Sequence, residues 1–316
     1  MFVEMLQSVG TFEGPFTAGE TYDVAEGIAL SWINTRYAKP TKTPPPEIAK
    51  LLARLDDGAG LPCLFLPFVG EFGHQMMSHV RIVNFHRASS KIVCCRVGEE
   101  VLYPSADACF TDWFDHVPDN LRIATMRETE IDWSSIEQRF PGLHPIPAGR
   151  LTPTQEIFPI YADRPILFRP RIRGIYADVV LSVRRREFAP ERNWKHWQTL
   201  ANALRDAGYT FAVAGGQSGS FNLSGQCFHT GYDFADTDSA IELMQKCKLY
   251  IGTDSGGSHL ASTVGCNMLL FRELRSGSRD MTARMARVNS GNTRIVGDGW
   301  ANPNSVVSAA LEILKG

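Results

Sequence analysis

Hydrophobic positions along the chain change period several times. From residue 61 an apolar run, "LPCLFLPFVG", stops at a glycine. A run that is apolar on both faces is the pattern of a strand buried in a parallel sheet. "EFGHQMMSHVRIVNFHRAS" follows with Phe72, Met76, Val80 and Val83 at helical spacing, and "KIVCCRV" reads as a second buried strand. Strand, helix and strand in that order predict a βαβ unit. The rhythm recurs in the second half. "DVVLSVR" (178–184) predicts a strand, "NWKHWQTLANALRDAG" (193–208) a helix closed by Gly208, and "YTFAVAGG" (209–216) a strand ending in glycines. "TDSAIELMQKC" (237–247) predicts a helix opened by a capping Thr or Asp. "KLYIGTD" predicts a strand, "GGSHLASTVG" a helix, "NMLLF" a strand and "NPNSVVSAALEILKG" (302–316) a capped C-terminal helix. Alternation of this kind predicts an α/β protein with two Rossmann-like domains facing a cleft.

The pattern before residue 61 is different. "FTAGETYDV" predicts a strand, a Gly turn and a second strand. "VAEGIALSWINTRYA" places Ala25, Ile28, Ala29 and Ile33 on one side of a helix. "KPTKTPPPE" (39–47) breaks helices and reads as a linker, and "EIAKLLARL" as a short amphipathic helix. The expected division is a small N-terminal α+β module with its Pro-rich linker over 1–45, one Rossmann-like domain over 46–170 and a second over 171–316. Residues 104–165 mix proline, aromatic and acidic residues and give no clear element.

Bulk properties narrow the classes. A chain of 316 residues suits two domains of ordinary size. A formal net charge of -2 gives no global field that recruits nucleic acid or an anionic membrane, which leaves local clusters such as Arg169, Arg171 and Arg173. No apolar run approaches the ~20 residues that span a bilayer. The first residues, "MFVEMLQSVGTFEG", lack the basic start and apolar core of a signal peptide, so the expected location is the cytoplasm. The seven cysteines include no CxxC pair and are expected as reduced thiols, neither a zinc site nor a disulfide framework.

The chemistry concentrates in "YIGTDSGGSHLASTVGCNMLLF" (250–271). Ligands bind open α/β sheets at the carboxyl ends of their strands. Asp254, Ser255, Gly256, Gly257, Ser258 and His259 occupy such an end and lead into a helix. Gly256 and Gly257 permit close approach of a ligand to the backbone, the first helical amides lack intrahelical acceptors, and the helix dipole favours an anion there. Ser255 and Ser258 add hydroxyls, and Asp254 either receives a sugar hydroxyl or caps the helix. The stretch predicts a phosphate cradle; the competing reading is a tight strand-to-helix turn. Arg184, Arg185 and Arg186 follow a strand, and Arg192 precedes a helix; as a group they supply basic side chains for a diphosphate, although strand alternation keeps three consecutive residues from reaching one ligand. Gly215, Gly216 and Gln217 close the neighbouring strand and join the same candidate site. Trp194, Trp197, Met76 and Met77 read as core.

The 250–271 stretch resembles the donor-site signature of glycosyltransferase family nine, the ADP-heptose:lipopolysaccharide heptosyltransferases. "VVLSVRRREFAPERNWKHWQTLANAL" and "LFLPFVGEFGHQMMSHVRIV" are similar to two further family stretches in the same order, and the likeness spans residues 61–316. It implies a GT-B fold, with a nucleotide-sugar such as a UDP-, GDP- or ADP-sugar in the second domain and the acceptor mainly in the first. It implies direct, inverting displacement with no metal at the phosphates. Glu71 stands where the family has an Asp base, and His74 matches a family His. Two roles stay open for each: base or dipole-complementing residue for Glu71, orienting or structural residue for His74. Arg192 fits the family's basic position before the helix Trp, Arg184 resembles the phosphate-clamping Arg of related fucosyltransferases, and His259 either donates to the pyrophosphate or buttresses the loop. The usual acceptor is a glycan, lipopolysaccharide core. Residues 1–40 lie outside the family pattern and weakly resemble bacteriophage modules, which raises hydroxymethylated pyrimidine in DNA as an alternative acceptor. A nucleotide-sugar-binding protein without turnover and a nucleotide-sugar epimerase are the rival classes.

Overall fold

The computed structural model describes residues 2–11, 14–23, 33–34, 36–42, 56–70, 72–113, 133–147, 166–185, 193–216, 219–220, 222–234, 236–271, 289 and 292–316. Two parallel sheets dominate. The second holds β10 (Val179–Leu181), β11 (Phe211–Val213), β12 (Leu249–Gly252), β13 (Met268–Phe271) and β14 (Thr293–Val296), in the order β11-β10-β12-β13-β14. Every residue of β10 to β13 is buried, as the continuous apolar runs require. Strand β14 was not legible because only Val296 of its four residues is buried.

The helices expected around this sheet are present: α3 (Trp197–Asp206), α4 (Thr237–Lys246), α5 (Gly256–Val264) and α6 (Pro303–Lys315). Helix α3 buries Trp197, Leu200, Ala201 and Leu204 on one face. Trp194, Trp197 and Phe271 pack with ring centroids 4.5 to 5.6 Å apart, so both tryptophans are core residues. Gly265 ends α5 in the left-handed conformation at φ 88°, a conformation that glycine adopts at little cost.

The first parallel sheet has the order β8-β7-β6-β9, formed by β6 (Pro62–Phe65), β7 (Ser90–Cys94), β8 (Ala108–Phe110) and β9 (His144–Ile146). Between β6 and β7 runs helix α1, which is α-helical over Phe72–His74, π-helical over Gln75–His79 and α-helical over Val80–Phe85. A short α2 (Ser134–Glu137) precedes β9. These elements supply part of the stretch that gave no clear reading.

The two sheets carry their own helices, as a GT-B arrangement demands, and the halves are packed together. Helix α1 lies against α5, and Met76 and Val80 share one apolar cluster with Ile241 and Leu260. Met77 is buried as well. Residues 166–177 run along α4, where Arg171 N donates to Asp238 at 2.8 Å and Arg173 N and Gly174 N donate to the Glu242 carboxylate at 2.8 and 2.9 Å. The expected boundary at residue 170 falls inside this segment.

At the N-terminus, β1 (Phe2–Met5) is central to an antiparallel sheet ordered β4-β1-β5, with β4 (Thr21–Asp23) and β5 (Ala38–Pro40). A separate hairpin joins β2 (Val9–Thr11) to β3 (Gly14–Phe16). The two strands of "FTAGETYDV" therefore exist but do not pair with each other. Lys39 and Pro40 belong to edge strand β5 and not to a linker, and an edge is where a strand tolerates proline. The helix read over 24–38 is seen only at 33–34, and the amphipathic helix of 47–55 lies outside the described residues.

Candidate functional site

In the second sheet the chain goes to one side of β10 and then returns to the other side, so the switch of direction falls between β10 and β12. Open parallel sheets form their ligand crevice at such a point, beyond the carboxyl ends of the strands. A cavity of about 540 Å³ lies there. Ser182, Val183 and Arg184 line it from the end of β10, Ala214, Gly215 and Gly216 from β11, and Ser255, Gly256 and Gly257 from β12. Asp236 and Thr237 add the start of α4, and Thr230, Gly231, Ala240 and Met244 form a further wall. The first half contributes Phe72 and Glu99.

The turn after β12 is held by its own hydroxyls. Ser255 is the N-cap of α5, and its Oγ accepts from Ser258 N at 3.2 Å. The same Oγ lies 3.2 Å from Ser182 Oγ across the switch point. Ser258 turns inward: its Oγ donates to Thr253 O at 2.6 Å and lies 3.1 Å from Tyr250 OH. Burial pushes the Tyr250 phenol up, so this hydroxyl stays neutral. Asp254 is not the cap. Its side chain is partly exposed and its carbonyl accepts from the Arg184 guanidinium, which ties the cavity-lining arginine to the turn.

The two glycines are needed for contacts within the protein. A Cβ on Gly256 would stand 2.9 Å from Phe72 Cδ1 and 3.1 Å from Gly73 N, and one on Gly257 would stand 2.9 Å from Ser182 Oγ. The helix start thus sits directly against α1 of the other half. The amides of Gly256 and Gly257, first in the helix, have no intrahelical acceptors and carry the positive end of the dipole.

At the start of α4, Asp236 caps the helix by accepting from Ser239 N at 2.9 Å. It also pairs with Arg173. Burial raises its carboxyl, but the Ser239 and Arg173 hydrogen bonds outweigh this and hold it below the usual range. The β11 glycines are braced from behind. Gly215 N donates to Thr230 Oγ1 at 3.0 Å, and Ser220 Oγ lies 3.0 Å from His229 Nε2.

Arg184, Gly215, Gly216, Ser255, Gly256 and Gly257 are therefore brought together around one cavity. Ser258 and His259 are buried behind the turn and are not among its lining residues; His259 Nε2 is 3.9 Å from Asp254 Oδ1. Arg185 is exposed, and its amide donates to Gly219 O at 2.7 Å. His74 lies in the first turn of α1, with Nδ1 buried and lacking a hydrogen-bond partner. Glu71, Arg186, Arg192 and Gln217 lie outside the described residues. Arg171 and Arg173, read as possible nucleic-acid contacts, form ion pairs with Asp238 and Asp236. Among the described residues, no group of three or more His, Cys, Asp or Glu side chains converges as a metal site. The sequence reading passed over Ser182, Thr230, Asp236 and Glu99. Of these, only Ser182 directly follows a strand, β10, and its position could have signalled it.

A scan against protein-family models finds no match, and a sequence search of curated proteins finds none either. Solved structures do resemble the fold. The ADP-heptose LPS heptosyltransferase II of E. coli aligns at TM-score 0.51 and 15% identity, over 80% of this chain and 98% of its own. A glycosyl transferase family 9 protein from Veillonella parvula aligns at 0.47 and 10% identity, over 82% and 98% of the two chains. E. coli heptosyltransferase WaaC with ADP aligns at 0.45 and 9% identity, over 79% and 99%.

Proposed function

We propose that the chain is a glycosyltransferase of the GT-B type that takes a sugar from a nucleotide-sugar donor. The observation that carries this reading is the cavity at the β10–β12 switch point. The first residues of α5, Ser182, Ser255 and Arg184 all line it. Departure of a nucleoside diphosphate requires stabilisation of its developing charge, and oriented amides with a guanidinium provide that without rearrangement. The wall formed by Thr230, Gly231, Ala240 and Met244 offers small and apolar surface for a nucleobase. Likeness in fold to the E. coli heptosyltransferase II supports the same reading.

The acceptor hydroxyl must lose a proton as the new bond forms. Glu71, immediately before α1, is the proposed base, with His74 one turn on as the residue that orients it or the acceptor. Arg186 and Arg192 are proposed as additional phosphate ligands. Asp254, Ser258 and His259 are proposed to hold the turn in place without touching the donor. The acceptor is proposed to be a glycan entering from the side of β6.

Thermal-shift measurements with UDP, GDP, ADP, CMP and their common sugars test the reading. A ligand specific to the native state raises the melting temperature by mass action. One nucleoside diphosphate and its sugar should raise it by several degrees, and Arg184→Ala should abolish most of the rise. No rise with any of them defeats the proposal. Glu71→Gln should keep donor binding while lowering transfer by orders of magnitude. Unchanged transfer would remove Glu71 as the base.

A further inference from the structure

The cavity lining carries both signs of charge: Arg184 and the first residues of α5, and the carboxylates Glu99 and Asp236. A carboxylate repels phosphate but accepts from a hydroxyl, so these carboxylates suit a hydroxyl-bearing part of the same ligand. The two carboxylates are not equivalent. Asp236 is occupied by Ser239 N on Oδ1 and by Arg173 on Oδ2.

Glu99 comes from the other half of the molecule. It follows β7 through a tight turn, in which Glu99 N donates to Arg96 O at 3.0 Å and Gly98 has φ 83°. A positive φ at the third position of such a turn selects glycine. The turn also brings Gly98 beside Asp236, where a Cβ would lie 3.8 Å from the aspartate Cβ.

A buried network fixes the carboxylate. Gln75 Nε2 donates to Glu99 Oε2 at 2.7 Å and lies 3.0 Å from Tyr103 OH, while Arg96 Nη1 donates to Gln75 Oε1 at 3.2 Å. His79 Nδ1 lies 3.0 Å from the same Tyr103 hydroxyl. The remaining carboxylate oxygen, Oε1, has Arg96 at 3.5 Å, the long limit of a hydrogen bond. Glu99 is 9% exposed, so an accepted bond there is shielded from water.

We propose that Glu99 accepts a ribose hydroxyl of the nucleotide held by the second half. This rests on the nucleotide reading above. The first half then contributes a specificity contact to the ligand, and Gln75 and Arg96 are positioning residues for it. A ligand bound in this way bridges the two halves.

Calorimetric titration of wild type, Glu99→Gln and Glu99→Ala with UDP, GDP and ADP and their 2′-deoxy and 3′-deoxy forms tests it. A hydrogen bond to a charged acceptor contributes on the order of tenfold in affinity or more. Wild type should prefer the ribonucleotide to one deoxy form by about tenfold. Both variants should bind the ribonucleotide correspondingly weaker and lose that preference. Phosphate affinity, read with the deoxy form, should hardly change. Variants that keep the preference overturn the assignment, as does a wild type that binds a diphosphate with no preference. If no diphosphate binds wild type, the nucleotide reading itself fails and this assignment falls with it. Glu99→Gln retains side-chain shape, so a folding defect confined to Glu99→Ala still leaves a decisive comparison.

Discussion

Single residues show how closely the site is packed. Gly256→Ala forces a Cβ to 3.1 Å from a backbone nitrogen of α1, which cannot move as a side-chain tip can. It should cost about 1–3 kcal/mol by overpacking and weaken ligand binding, as chemical denaturation and titration would show. His79 is fully buried, and desolvation, with Arg96 acting in the same direction, pushes its pKa down to about 4. The unfolded chain binds its proton near the ordinary pH of 6.5. Between those values the unfolded state holds more protons, so stability falls as the pH drops from 6.5 to 4. The full effect is about 3 kcal/mol. His79→Gln should flatten that part of the stability–pH profile; an unchanged profile would mean that the histidine is not buried in its neutral form. All seven cysteines are free, and Cys227 is the exposed one. It should react with a thiol reagent well before Cys63, Cys94, Cys95 and Cys266, as timed mass spectrometry would show.

At the scale of elements, the strands buried on both faces were legible. Their continuous apolar runs are the pattern of strands buried in a parallel sheet. Helices α3 to α6 were legible as separate helical stretches between those strands, with Gly208 marking a stop. What escaped was set by tertiary partners. Asp254 and Ser255 are both acceptable caps in sequence. Only the fold aims Ser255 at the Ser258 amide and leaves the Asp254 carbonyl to Arg184. The glycines of the turn were read as room for a ligand, whereas the space they leave is occupied by Phe72 and Ser182. Glu99 gave no periodic signal, because its role depends on a turn that lies beside the other half. Removing the cap by Ser255→Ala should cost about 1 kcal/mol, measurable as a lowered denaturation midpoint.

For the whole molecule, the contact between halves is more than a hinge. Arg81 of α1 is buried and donates to Thr263 of α5 at 3.3 Å, and one apolar cluster runs from Phe65 to Leu270. Shared burial couples the unfolding of the two halves. Calorimetry should give one endotherm for both parallel sheets, and two well-separated transitions would contradict this coupling. The same arrangement explains the position of the cavity. Residues at the carboxyl ends of β10, β11 and β12 line it, and the turn after β7 supplies a carboxylate, Glu99, from across the seam.

The most direct measurement is a crystal structure with the nucleoside diphosphate that gives the largest thermal shift. The account predicts that its phosphates lie within hydrogen-bond distance of the Gly256 and Gly257 amides and of Arg184. Phosphates bound elsewhere, with the α5 N-terminus untouched, would contradict the donor site and with it the proposed transferase.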